Sequence, residues 1–119
     1  MTKRHTISFI HAAEGIWYAL RTQPNFVVHV TISLIVAGMG MYLGLASWEW
    51  AIIAITITGG LVMELINTAI EAMVDLATDQ IHPLAKITKD CASGAMLVYA
   101  LGATGVGMII FLPKIWLFF

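Results

Sequence analysis

The chain has 119 residues, the size of one domain. Hydrophobic residues make up 60% and charged residues 11%, against about a quarter charged in an ordinary soluble domain, which excludes a water-soluble globule. A formal net charge of -1 supplies no basic field and argues against nucleic acid as a partner.

The N-terminal run M-T-K-R-H-T-I-S-F-I has a basic start but no uninterrupted apolar core and no small-residue cleavage site. It does not read as a removed signal peptide. Residues 6–22 predict an amphipathic helix, with Phe9, Ile10, Ile16, Trp17 and Leu20 on one half of the wheel and His11, Glu14, Tyr18 and Arg21 on the other. It is too short and too polar to cross a bilayer. It suits the interface plane, with Lys3, Arg4 and Arg21 near lipid phosphates and Trp17 at headgroup depth.

Thr22-Gln23-Pro24-Asn25 breaks that helix, because proline disfavours helix at the residue before it and can open the next one. A first span is expected over residues 26–45, which carry no formal charge and match the roughly 20 residues that a bilayer requires. His29 stands one turn into it and reads as a hydrogen-bonded interfacial residue rather than a ligand. Trp48 and Trp50 mark a turn at the far boundary, as an aromatic belt does.

The second span, residues 51–76, organises the rest. After Gly59-Gly60 it places Glu64, Asn67, Glu71 and Asp75 in an otherwise apolar sequence. At 100° per residue these side chains fall within an arc of about 80°, and Glu64 and Asp75 are separated by about 16 Å of rise. The stripe therefore runs from inside the apolar layer to the water boundary. Carboxylates beside an apolar span are expensive and usually functional, although a polar stripe also serves to lock helices together.

A polar connection, Thr78-Asp79-Gln80-Ile81-His82-Pro83, leads to Lys86, Lys89 and Asp90. The third span is expected over residues 91–112, rich in Gly and Ala that suit close helix packing in lipid. Pro113 is expected to stop it, with Lys114, Trp116 and Phe118 as a second rim. Cys91 has no second cysteine to pair with and reads as a small buried thiol. Lys3, Arg4, Arg21, Lys86 and Lys89 put the N-terminus and the second loop in the cytoplasm under the positive-inside rule. No G-x-x-x-x-G-K phosphate cradle occurs. The fold class is thus an all-α membrane protein: a surface helix and three transmembrane helices in a single domain, residues 1–119.

The stripe suggests chemistry. A carboxylate desolvated at the apolar boundary suits a general base that takes a proton from an alcohol. A second, nearer water and next to Asn67, suits Mg²⁺, and Lys89 suits a polyphosphate. These are parts for phosphoryl transfer, yet an ion pathway also uses carboxylates in lipid, and spacing does not separate the two.

The strings E-L-I-N-T-A-I-E-A-M-V-D and H-P-L-A-K-I-T-K-D-C-A-S-G-A resemble the signature of the prokaryotic diacylglycerol kinase family. H-P-L-A-K, together with Asn25, Phe26 and His29, is most similar to its Gram-positive undecaprenol kinase branch. The resemblance implies a homotrimer in the bacterial cytoplasmic membrane, with active sites shared between subunits at the cytoplasmic face. There Mg²⁺-bound ATP would give its γ-phosphate to a lipid alcohol, undecaprenol or diacylglycerol. By motif match, Glu64 is the base, Glu71 holds Mg²⁺ and Asn67 supports it. Lys89 and Asp90 contact ATP, Gln80 and His82 lie along it, and Asp75 is structural or on the nucleotide side. Trp17, Arg21 and Trp48 are interfacial. The family usually places a second metal-binding Glu three residues before the Phe of N-F, and here that position is Gln23. An amide brings no charge, so weaker Mg²⁺ affinity is expected unless Glu14 reaches the site. The alternative is a weak or non-catalytic member acting as a scaffold or transport subunit.

Overall fold

The computed structural model describes residues 2–119, with side-chain surroundings from residue 5 onward. The side chains of Lys3 and Arg4, used above for orientation, lie outside the described residues. Helices follow in the order α1 (Thr2–Thr22), α2 (Pro24–Leu43), α3 (Ser47–Ala77) and α4 (Pro83–Phe118). The last three are long and apolar enough to cross a membrane.

Local chemistry explains each break. Gln23 alone separates α1 from α2; it is extended, and Pro24 opens α2 where a missing N–H costs nothing. At the far end of α2, Gly44 takes a left-handed φ of 72°, and Gly44 N–H and Leu45 N–H both donate to the Gly40 carbonyl. This closure favours glycine, because a Cβ is strained at that φ. Glu49 reaches back to accept from Ala46 N–H at 2.8 Å, starting α3. His82 Nδ1 accepts from Leu84 N–H at 3.1 Å, starting α4 behind Pro83.

Two expectations are corrected. Pro113 is expected to stop the third span, but α4, which begins at Pro83 and contains all of residues 91–112, continues through Pro113 to Phe118. Proline removes one backbone donor, which membrane helices tolerate where neighbours compensate. Here Lys114 Nζ reaches Glu49 at 3.0 Å, tying the turn after the proline to the start of α3. Cys91, expected to be buried, is exposed within the chain, and its neighbour Ala92 takes the buried position.

The most extensive packing joins α3 to α4. One end of this seam is an apolar cluster around Ile53, Ile110 and Phe111. Its middle is Tyr99, whose hydroxyl donates to the Thr56 carbonyl at 2.5 Å and whose ring lies on Gly59-Gly60. A Cβ on Gly59 would stand 2.8 Å from Tyr99 Cζ, so glycine is what admits the ring. In this seam the glycines that provide close approach are therefore on α3; Gly40 on α2 does the same against Trp50. Those the sequence offered on α4, Gly94, Gly102, Gly105 and Gly107, face open space within the chain.

Gly59→Val is expected to lower the thermal midpoint in detergent, at a cost of about 1–3 kcal/mol for overpacking. A midpoint equal to that of the parent protein would mean that the Tyr99 seam gives way freely.

Candidate active site

The stripe on α3 is graded. Glu64 is 2% exposed and Asn67 9%, Glu71 is half-buried, and the Asp75 side chain is 67% exposed. Helical rise spreads these groups over about 16 Å. Burial within the chain thus falls along one face of one helix, from Glu64 to Asp75.

Helix α2 brings one side chain to the buried end. Helix α1 contacts both α2 and α3, and the α1–α2 corner buries Ala19 and Phe26. One turn beyond Phe26, His29 Nε2 stands 4.0 Å from Glu64 Oε2. His29 was not among the expected site residues. Its signal was present, however: a lone polar residue one turn into an uncharged span, at i+3 from Phe26. Thr68 Oγ1 donates to the Glu64 carbonyl at 2.9 Å, absorbing a hydroxyl that would otherwise be unpaired in the same buried layer.

Asn67 joins the next two groups. Its Nδ2 donates to Glu71 Oε1 at 3.4 Å, a long contact, and its Oδ1 is a buried acceptor with no partner. Buried acceptors are nearly always satisfied, so an orphan beside a carboxylate calls for a donor or a cation. Mg²⁺ takes few protein oxygens and fills its remaining positions with phosphate and water; Asn67 Oδ1 and Glu71 fit that demand. Among the described residues no three His, Cys, Asp or Glu side chains converge into a cage that would hold a metal by itself.

At the exposed end lies an open cleft of about 340 Å³ between the end of α3 and the start of α4. It gathers all five residues expected to face the nucleotide: Asp75, Gln80, His82, Lys89 and Asp90. Sequence reasoning missed Thr78, Asp79 and Lys86, which line it as well. Lys89 Nζ is 2.6 Å from Asp75 Oδ1, and Lys86 Nζ is 2.5 Å from Asp90 Oδ2. Each cation thus rests on a carboxylate, and these exposed pairs are weak enough to exchange for an anionic ligand. Hydrogen bonding to those carboxylates is also what organises the cleft, since the Asp75–Lys89 pair bridges α3 and α4.

Two expected residues are not brought to the stripe by any hydrogen bond. Gln23, at the α1–α2 joint, donates through Nε2 to Thr22 Oγ1 at 3.2 Å. Glu14 is exposed on α1 and pairs with His11 Nδ1 at 2.9 Å. Trp17 and Trp48 expose large rings at opposite ends of the structure, and Arg21 is exposed.

Residues 10–111 match the prokaryotic diacylglycerol kinase family, a stretch that contains the whole stripe, His29, Gln23 and the cleft. The chain belongs to this family. It is 47% identical over 108 residues to undecaprenol kinase of Bacillus subtilis, covering 91% of this chain and 88% of that protein. It is 41% identical over 110 residues to a diacylglycerol kinase of Synechocystis, covering 92% of this chain and 63% of the relative. A diacylglycerol kinase of Helicobacter pylori is 32% identical over 96 residues, 81% of this chain and 75% of the relative. The stripe and cleft of this family member thus sit inside the shared region, while Lys114, the partner of Glu49, lies beyond it.

Asn67→Leu removes the orphaned acceptor, whose desolvation costs about 1–3 kcal/mol when unmet. The expected outcome is a thermal midpoint in detergent equal to or above that of the parent. A clear fall would show that Asn67 Oδ1 is already satisfied.

Proposed function

We propose that this protein transfers the γ-phosphate of ATP to the hydroxyl of a membrane lipid, with Glu64 as the base that accepts the hydroxyl proton. Family membership makes the chain a lipid kinase. The observation that carries the assignment of the site is the graded stripe: a carboxylate 2% exposed at one end of α3 and a carboxylate paired with Lys89 in an open cleft at the other.

In this reading the nucleotide occupies the cleft, displacing Asp75 and Asp90 from Lys89 and Lys86. Gln80 and His82 border it, and the His82 ring also caps α4, so the wall of the cleft is stiff. Asn67 and Glu71 hold Mg²⁺, which when bound neutralises the phosphate oxygens. The lipid hydroxyl enters from the apolar side. Its proton goes to Glu64 as its oxygen bonds to the γ-phosphorus and the bond to the β-phosphate oxygen breaks, releasing ADP. The chain holds the two reactants in line, and positioning supplies most of the acceleration in such transfers. No covalent enzyme intermediate is required.

Undecaprenol is the lipid alcohol we favour, because the relative matched at 47% over most of both chains is an undecaprenol kinase by name. The protein is a membrane protein on its three long apolar helices. We place α1 in the interface plane, supported by its exposed Phe9 and Trp17 beside an exposed Arg21. The site then faces the cytoplasm, as Lys86, Lys89 and Arg21 favour. A homotrimer is supported by the open space beside Gly94, Gly102 and Gly105, which share one side of α4, and by the slight burial of α2 and α4 within one chain.

Glu64→Gln is expected to lower transfer of labelled phosphate from ATP into extracted lipid by about 10²–10⁴-fold, the usual contribution of a general base. Transfer at the parental rate would remove Glu64 from that role. Running undecaprenol and diacylglycerol side by side in the same assay reads the preference directly. Gln23→Glu is expected to lower the Mg²⁺ concentration for half-maximal activity, because a second carboxylate adds charge near the metal. Glu14→Gln should leave it unchanged, since Glu14 engages His11. Equal Mg²⁺ requirements in the parent and Gln23→Glu would show that Gln23 does not reach the metal.

A further inference from the structure

Glu64 poses a problem that the reaction alone does not solve. Its carboxylate lies in an apolar helix face, almost wholly shielded from water. The terminal torsion of a glutamate is broad and nearly two-fold, so burial by itself does not decide which oxygen meets a substrate. A base that must receive a proton from one direction works best when its other oxygen is pinned.

Among the described residues, His29 is the only basic side chain within 4.0 Å of Glu64, and its Nε2 faces Oε2. The ring is placed there from three sides. Helix α2 carries it one turn past the buried Phe26. Gly60, one turn before Glu64 on α3, lies under both rings: a Cβ there would be in ordinary contact with the imidazole, 3.7 Å from His29 Nδ1, and in tighter contact with Tyr99 Cε1 at 3.3 Å. Tyr99 closes the slot from α4, held by its bond to the Thr56 carbonyl. Three helices thus converge to aim one ring nitrogen at one carboxylate oxygen.

We propose that His29 is a positioning residue of the phosphotransfer site: its Nε2–H donates to Glu64 Oε2, leaving Oε1 to take the proton of the lipid hydroxyl. The imidazole neither gains nor loses a proton in this step. At 4.0 Å the pair is longer than a hydrogen bond; contacts of this kind are often loose before substrate arrives and tighten in the reacting complex. The inference rests on the lipid-kinase reading and on Glu64 as the base.

The test is steady-state kinetics in mixed micelles with ATP and undecaprenol, for the parent, His29→Gln, His29→Asn, His29→Leu and Glu64→Gln. A Gln amide nitrogen lies near the position of Nε2, whereas an Asn amide nitrogen lies near that of Nδ1. The expected result is a fall in kcat of about 10–100-fold for His29→Leu and His29→Asn, the range for losing a group that orients a reacting ligand. KM for ATP should stay within about twofold of the parent, since uniform binding is untouched. His29→Gln should recover most of kcat, and His29→Leu should add little to Glu64→Gln, because the two residues act as a unit. Parental kcat in His29→Asn, or equal losses in His29→Gln and His29→Asn, overturns the inference, and the Gln/Asn comparison stands even if His29→Leu fails to fold. Should the parent transfer phosphate to no lipid alcohol, it is the kinase reading that fails; an active parent with an inactive Glu64→Gln and an unaffected His29→Asn rejects the role of His29 alone.

Discussion

The structure is built around the expense of keeping the Glu64 carboxylate in an apolar layer. An isolated charge there is costly enough that the protein must shield it, supply a partner or leave it protonated. Glu64 is buried within the chain, His29 approaches it, and helical geometry leads from it through Asn67 and Glu71 to the exposed Asp75. In a bilayer the backbone must satisfy its own hydrogen bonds, so α3 is a rigid rod. The distances along the stripe are therefore set by helical rise and not by loops that move.

That rod is held against α4 at three levels. Glu49 and Lys114 pair at one end, Tyr99 reaches the Thr56 carbonyl in the middle, and Asp75 pairs with Lys89 at the other end. The middle contact is the least replaceable, because it needs Gly59-Gly60 for the ring to approach. The two ends differ in kind. Glu49 is buried and also caps its own helix, which suits a permanent clamp. Asp75 and Lys89 are exposed and border an open cleft, which suits a contact that yields to a ligand. One seam thus combines a fixed end with an exchangeable one, and the proposed nucleotide site is the exchangeable end.

Much of this was legible in the residues. The 3.6-residue period puts the acids of α3 on one face wherever the helix goes, and Pro24 and Pro83 mark helix starts through the donor they lack. The failures are equally physical. Pro113 reads as a stop because its local penalty is visible in sequence, whereas the Lys114–Glu49 pair next to it joins residues far apart in the chain. Which glycine admits a close neighbour inside the chain depends on which ring faces which backbone, and Tyr99 selects Gly59-Gly60. Glu14, which could stand in for the acid absent at Gln23, pairs with His11 on the exposed side of α1, a contact that the helical period does not single out.

Sequence by itself determined the helix count and the composition of the stripe, because these depend on periodicity and on the cost of polar groups in oil, both local properties. It also placed Asp75, Gln80, His82, Lys89 and Asp90 near one another, since a short loop joins the helices that carry them. Only the tertiary structure decided that His29 faces Glu64, that Asn67 keeps an unpaired oxygen, and that α4 continues through its proline. Each of these is a contact, or a missing one, fixed by how rods of known length lean on one another. The lean follows from side-chain volumes meeting across a seam, which no single helix contains.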